Sequence, residues 1–245
     1  MKPRDIKILV VDDEPELVQI IKVLFEKFNF SITTSNSGNH AWQLLQGHDF
    51  DLVLTDVRMT DGDGIELAKK IRARHPRKPS VLFMTGFSDL LNEEIYHLGA
   101  EGKFTKPFDN NAVRTAIETC MMLPSLRWKT PLPVDNRRIK IELKGDSVES
   151  LSQKGILVFG RGGFFAAYNK FLPEKGTLIS FEINIENPIP FSLNGQGIIR
   201  WTHSRSKSGI PAGLGIEITY LPEAESNQYH DLFQANPSYI PSPFR

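Results

Sequence analysis

Five side chains in the first half of the sequence have the types that phosphoryl chemistry needs: Asp12, Asp13, Asp56, Thr85 and Lys106. Each stands where a short run ends: KILVV runs into Asp12-Asp13-Glu14, LVL into Thr55-Asp56, VLFM into Thr85, and GKFT into Lys106. A short apolar run ending in an acid reads as a buried strand that delivers a carboxylate to a sheet edge. Three carboxylates at close range repel and cannot all stay ionised unaided. A hard divalent cation relieves this, and an all-oxygen site with retained waters suits magnesium. Lys106 adds an ammonium, and Thr85 a hydroxyl able to bond a phosphoryl oxygen. An aspartate with a metal on one side and an ammonium on the other is placed to attack phosphorus, giving an acyl phosphate. An aspartate after a strand is by itself commonly a turn residue or a helix cap. The set, rather than Asp56 alone, carries the reading.

These residues need a scaffold that brings distant strand ends together. Lys7 to Val11 is apolar throughout, as in a strand buried on both faces. Pro15 suits a first helical turn, and Leu17, Ile20, Ile21, Leu24 and Phe25 follow at helical spacing. Ser31 to Thr34 is a short polar strand, and Ala41, Leu44 and Leu45 mark a second helix. The Asp56 strand leads to a helix over roughly Gly64 to Ala73, and Val81 to Met84 is the fourth strand. A helix over about Asn92 to Leu98, a fifth strand Gly102 to Thr105 and a helix from a cap at Asp109 to about Met122 complete the half. Five strand–helix alternations argue for a parallel sheet covered on both faces. In such a sheet ligands bind beyond the carboxyl ends of the strands.

This half resembles the receiver domain of two-component response regulators (CheY-like) over about residues 4–123, in the pieces ILVVDDEP, DLVLTDVRM, DGIEL, FMTG, LGAEG and KPF. The resemblance implies a flavodoxin-like doubly wound α/β sheet phosphorylated on Asp56. It implies magnesium held by Asp13, Asp56 and the backbone carbonyl of Arg58, with Asp12 acting through water. Lys106 would contact the phosphoryl group, its peptide to Pro107 would be cis, and Thr85 would move toward the phosphoryl oxygen. The chain departs from the family pattern in two places. Lys103 stands where the family has an aromatic switch residue, so signalling is expected through the loop Thr85–Ser88 or the fifth strand. Thr60 stands where the family has proline, which is expected to change only loop stiffness. Arg58 and Phe87 flank the position of the attacking water in the family and are expected to lengthen the life of the phosphorylated state.

Leu123 to Val134, with three prolines, reads as an extended linker in which Trp128 is either a staple between domains or a surface aromatic. From Arg137 the period changes to two, over Ile139–Leu143, Ile179–Ile185, Leu193–Thr202 and Leu214–Tyr220, with a short apolar run Ile156–Phe159. In the third of these, Ile199 and Trp201 share a face opposite Arg200 and Thr202. Such strands predict a small antiparallel β-barrel, with a sharp corner at Gly160, Gly162 and Gly163, a closing helix over about Glu223 to Gln234 and a mobile tail. This half resembles a divergent PilZ domain over about residues 136–235, in GRGGFFAAYNKFLPEKGTLISFEI, GQGIIRW and PAGLGIEITY. Many such domains bind cyclic di-GMP through an Arg-x-x-x-Arg arm and an Asp/Asn-x-Ser-x-x-Gly turn. Here Ile141 and Glu142 replace the second arginine, and Val158 and Gly160 replace the acid and serine. The resemblance therefore implies a barrel that docks a protein. Cyclic di-GMP on Arg137, Arg138, Arg161 and Gly163 is the alternative.

The domain plan is a receiver over 1–123, a linker over 124–135, a PilZ-like barrel over 136–235 and a tail over 236–245. Lys+Arg 29 against Asp+Glu 29 gives no bulk attraction to nucleic acid or anionic membrane. One cysteine, Cys120, fits a reducing cytoplasm, and no apolar stretch approaches the roughly 20 residues that span a bilayer. The expected function is a cytoplasmic bacterial response regulator. It takes phosphate from a histidine kinase or phosphotransfer protein and passes the signal to a protein target, with a role in motility and homodimerisation as further expectations. Two other classes fit less well. An aspartate-based phosphatase needs an acid two residues after the nucleophile, where Arg58 stands, and His203 and His230 stand alone. A transcription factor needs a helix-turn-helix or a basic face, and Arg205 and Lys207 are too few.

Overall fold

The computed structural model describes residues 6–75, 78–86, 95, 98–122, 128–131, 133, 139–160, 162–170, 172–188, 190–203 and 211–235. The chain divides into two compact units between Met121 and Met122.

The first unit alternates strands and helices: β1 (Lys7–Val11), α1 (Pro15–Lys27), β2 (Ser31–Ser35), α2 (Gly38–Gly47), β3 (Leu52–Asp56), α3 (Gly64–Arg74), β4 (Ser80–Thr85), β5 (Gly102–Thr105) and α4 (Asn110–Met121). The helix expected over Asn92 to Leu98 lies largely outside the described residues. The strands form one parallel sheet in the order β2-β1-β3-β4-β5, the flavodoxin-like order. Ile8, Val10, Leu52, Leu54, Leu82 and Met84 share a core with Ile21 and Phe25 of α1 and Val113 and Ile117 of α4. The intervening Leu9, Val11, Val53, Val81 and Phe83 are fully buried too, and strand alternation puts them on the other face. This is why the strands read as unbroken apolar runs.

Register then sets the functional edge. Val11 pairs with Thr55, Asp56 with Met84, and Thr85 with Thr105. The residues that end β1, β3, β4 and β5 therefore lie along one side of the sheet. Strand order reverses between β1 and β3, so Asp12 and Asp56 flank the switch point, where open α/β sheets bind ligands.

The second unit contains β6 (Ile139–Gly145), α5 (Val148–Gln153), β7 (Leu157–Phe159), β8 (Gly163–Ala167), β9 (Leu178–Ile185), β10 (Phe191–His203), β11 (Gly213–Tyr220) and α6 (Glu223–Ala235). The strand order is β6-β9-β10-β11-β8-β7. The expected antiparallel barrel is corrected in two respects. β6 pairs with β9 in parallel, so the sheet is mixed, and among the described residues no ladder joins β6 to β7. A parallel pair needs a long crossover, and α5, β7 and β8 supply it. The sheet still encloses a single core, since Ile141 of β6 and Leu157 and Phe159 of β7 join Ile183, Leu193 and Ile216 in one cluster. Val148 and Leu151 of α5 complete that cluster beside both edge strands.

Two further expectations change. Trp128 is not a surface aromatic: it is 1% exposed, within the second unit's core, edge-on to Tyr229 at 5.2 Å. Its carbonyl accepts a hydrogen bond from the Leu221 amide, which ties the linker to the end of β11. Ile199 and Trp201 do not share a face. The β10–β11 register shifts between them, so Ile199 enters the core while Trp201 stacks on Phe165 at 5.4 Å outside that cluster. A bulge residue at Arg200 breaks the period of two.

Candidate functional site

β1, β3, β4 and β5 each deliver one part of the site. Asp12 follows β1 directly and is fully buried. Its Oδ2 accepts from Lys106 Nζ at 2.6 Å and its Oδ1 from the Glu14 amide at 3.1 Å. Asp56 ends β3, where Oδ1 lies 2.8 Å from Lys106 Nζ and Oδ2 accepts from the Arg58 amide at 2.8 Å. One ammonium thus bridges two buried carboxylates contributed by strands on either side of the switch point.

The local sequence explains why Asp56 is held so firmly. Asp63 caps α3 by accepting from the Glu66 amide at 2.7 Å. Gly64 then brings the helix start against β3: a Cβ there would stand 2.1 Å from the Asp56 carbonyl oxygen. No other residue type fits that approach without displacing backbone. The Gly64 amide closes the loop by donating to the Val57 carbonyl at 3.0 Å.

Charge is unevenly shared across the site. Burial raises the Asp12 carboxyl above the ordinary carboxylate range, and the Lys106 and Glu14 hydrogen bonds only partly oppose this. Burial works against the Lys106 ammonium as well, but its hydrogen bonds to Asp12 and Asp56 outweigh it and lift the group above the ordinary lysine value. The site holds Asp12 and Asp56 around one ammonium, with Glu14 at 3.6 Å as a further acid that the sequence reading passed over. This all-oxygen, negatively biased donor set fits a hard divalent cation.

The structure brings Asp12, Asp56 and Lys106 together. Asp13 sits on the rim instead, where its Oδ2 accepts from the Thr60 amide at 3.1 Å. Among the described residues no three His, Cys, Asp or Glu side chains stand ready to hold a metal ion. Thr85 is buried at the same edge, and its carbonyl accepts from the Lys106 amide at 2.7 Å. The Lys106–Pro107 peptide is cis. Lys103 is half-buried on β5 while its neighbour Phe104 enters the core. Phe87 lies outside the described residues.

In the second unit the candidate arginines Arg137, Arg138 and Arg161 lie outside the described residues. Gly163 opens β8, and a Cβ there would meet the Ile216 carbonyl oxygen at 2.1 Å. Close strand approach accounts for this glycine without a ligand. The Tyr229 hydroxyl reaches the Gly160 and Gly163 carbonyl oxygens at 2.7 and 2.5 Å, so α6 pins the glycine corner. No short-range pattern signals that contact, because it joins residues far apart in sequence. Among the described residues no helix is long and apolar enough to cross a membrane.

Residues 8–118 match the response regulator receiver domain family. Response regulator protein PilR of Pseudomonas aeruginosa is 33% identical over 132 residues, covering 54% of this chain and 29% of that protein. The transcriptional regulatory protein ZraR of Escherichia coli is 36% identical over 118 residues, covering 48% and 26%. The transcriptional regulatory protein FixJ of Bradyrhizobium diazoefficiens is 33% identical over 115 residues, covering 46% and 56%. The chain thus spans less than two thirds of the length of each of these relatives. Among solved structures, a receiver domain protein from Clostridium thermocellum is 28% identical, covers 47% of this chain and 94% of its own, and has a TM-score of 0.45. Response regulator TrrA of Thermotoga maritima, solved with Mg2+ and BeF, is 25% identical over 47% of this chain and 99% of its own, with a TM-score of 0.42.

Proposed function

We propose that this chain, whose first unit is a response regulator receiver domain, is a phosphoaccepting regulator of a two-component system. Asp56 takes a phosphoryl group from a histidine kinase or phosphotransfer protein, and the second unit reports the change to a partner protein. The single observation that carries this reading is the Lys106 ammonium held between Asp12 and Asp56 at the switch point. An Asp56 oxygen attacks phosphorus as the bond from phosphorus to the donor's imidazole nitrogen breaks, and that nitrogen keeps the electron pair and takes a proton. Lys106 neutralises charge on the transferring group, and the Arg58 amide keeps the Asp56 carboxylate oriented. Thr85, at the end of β4, supplies a hydroxyl that can follow a phosphoryl oxygen. Asp13, Asp56 and the Arg58 carbonyl are the groups that would hold Mg2+, with Asp12 acting through water. The bound cation would supply the positive charge that lets the carboxylates approach a phosphoryl donor.

Beyond its own phosphorylation and dephosphorylation the protein is not an enzyme in this reading. It works in the cytoplasm, away from DNA and membrane. The second unit is read as PilZ-like, with a protein target of the motility class. Cyclic di-GMP as its ligand is the lesser reading, because packing explains Gly163. Magnesium-dependent labelling by acetyl phosphate, absent in Asp56→Asn, is the expected result; an unlabelled wild type would remove the reading. Partner capture with and without beryllofluoride tests the output, and calorimetry with cyclic di-GMP at micromolar concentration tests the lesser reading.

A further inference from the structure

The geometry points to the Thr60 backbone amide as a built-in competitor for the divalent cation: by donating to Asp13 Oδ2 it weakens that carboxylate as a ligand, and a bound cation in turn weakens the hydrogen bond. This inference rests on the phosphoacceptor reading above.

Each carboxylate of the cluster already has an internal donor. Asp12 has Lys106 and the Glu14 amide, and Asp56 has Lys106 and the Arg58 amide. Asp13 meets no ammonium or guanidinium among the described residues, and its partner is the Thr60 amide at 3.1 Å. The cluster is therefore satisfied from within.

The amide cannot simply follow Asp13 if that side chain turns toward a cation. Its loop is fixed on both sides. Before it, the Arg58 amide is bound to Asp56 at 2.8 Å. After it, the Asn39 amide donates to the Asp61 carbonyl at 3.2 Å, Asn39 Nδ2 to Asp61 Oδ1 at 2.7 Å, and the Gly38 amide to the Gly62 carbonyl at 3.0 Å. Lys70 Nζ in turn reaches Asn39 Oδ1 at 3.4 Å. A carboxylate oxygen shared with a fixed N–H has less capacity left for a cation.

The donor is backbone, so the side chain at position 60 does not matter unless it removes the N–H. Thr60→Ala keeps the donor and Thr60→Pro deletes it. The sequence reading expected the threonine to alter loop stiffness alone; the hydrogen bond gives it a second consequence.

Two measurements on the full chain test this. Calorimetric titration with MgCl2 should show Thr60→Pro binding roughly five- to tenfold tighter than wild type, the scale of one ordinary intramolecular hydrogen bond, and Thr60→Ala binding as wild type does. Hydrogen–deuterium exchange on the unmodified protein should show the Thr60 amide protected without metal and faster to exchange with saturating MgCl2. This second arm decides the matter even if Thr60→Pro fails to fold. Equal or weaker binding by Thr60→Pro, or a Thr60 amide equally protected with magnesium, would overturn the competitor role and leave the phosphoacceptor reading standing. Absence of magnesium heat in wild type and both variants would overturn both.

Discussion

Replacing Lys106 with methionine keeps the length of the side chain and removes the charge that two carboxylates share. The ammonium lies 2.6 Å from Asp12 and 2.8 Å from Asp56. At an effective dielectric of about 20, each contact represents roughly 6 kcal/mol of attraction before desolvation is counted. Desolvation removes much of that, and breaking a buried pair by deleting one partner costs about 3–5 kcal/mol. Lys106 is 17% exposed, so solvent screens part of the loss and about 3 kcal/mol is expected at pH 7.5. The loss depends on pH in a defined direction. Asp12 already lies above its ordinary value because it is buried, and Lys106 is what opposes this. A carboxyl raised in the folded state contributes stability that is full below its unfolded value and is lost as pH rises through the folded value. Without Lys106 the rise grows, so the deficit of Lys106→Met should be largest at neutral pH and shrink as pH falls and Asp12 takes up a proton. Magnesium should narrow the deficit by restoring positive charge. The assay is urea denaturation of the full chain followed by tryptophan fluorescence. Trp42 is the first unit's one tryptophan, with Trp128 and Trp201 in the second, so a Trp42→Phe control identifies its transition. A deficit under about 1 kcal/mol at pH 7.5, or one that stays constant as pH falls, would refute the electrostatic argument.

Three further outcomes follow from packing. Gly64→Ala should destabilise the first unit by about 1–3 kcal/mol through backbone overlap and reduce labelling of Asp56, read by urea denaturation and acetyl phosphate incorporation. Trp128→Ala should cost the second unit about 3–5 kcal/mol, measured by thermal unfolding; a change near zero would return the residue to the linker. Tyr229→Phe should cost about 1–3 kcal/mol by leaving the Gly160 and Gly163 carbonyls without their hydroxyl, and amide exchange around residues 160–163 should quicken.

The receiver half was legible because each chemical residue ends an apolar run, and parallel pairing in register carries such ends to one edge. Asp12, Asp56, Thr85 and Lys106 needed no more than that. The Thr60 amide could not be read, since a backbone N–H leaves no mark in residue type and the departure from proline suggested only stiffness. In the second half a period of two shows which side chains share a face but not which strands pair or in what direction. The parallel β6–β9 ladder was therefore missed. The bulge at Arg200 inverted the face of Trp201, because one extra residue reverses a period of two. GFFAA is apolar without alternation and follows a glycine corner, so β8 was not seen as a strand. The six residues of α5 are too few to show helical periodicity. Trp128 sits among prolines, and only its edge-on packing against Tyr229 from a distant helix reveals it as core.

The most direct test of the central claim is chemical mapping of the phosphorylated site. The full chain is treated with acetyl phosphate and magnesium, reduced with borohydride and digested for mass spectrometry. Reduction converts an aspartyl acyl phosphate to homoserine and leaves free carboxylates unchanged. Homoserine at position 56, dependent on both reagents, is the predicted result. Aspartate intact at position 56, or homoserine at another acid in its place, would contradict the account.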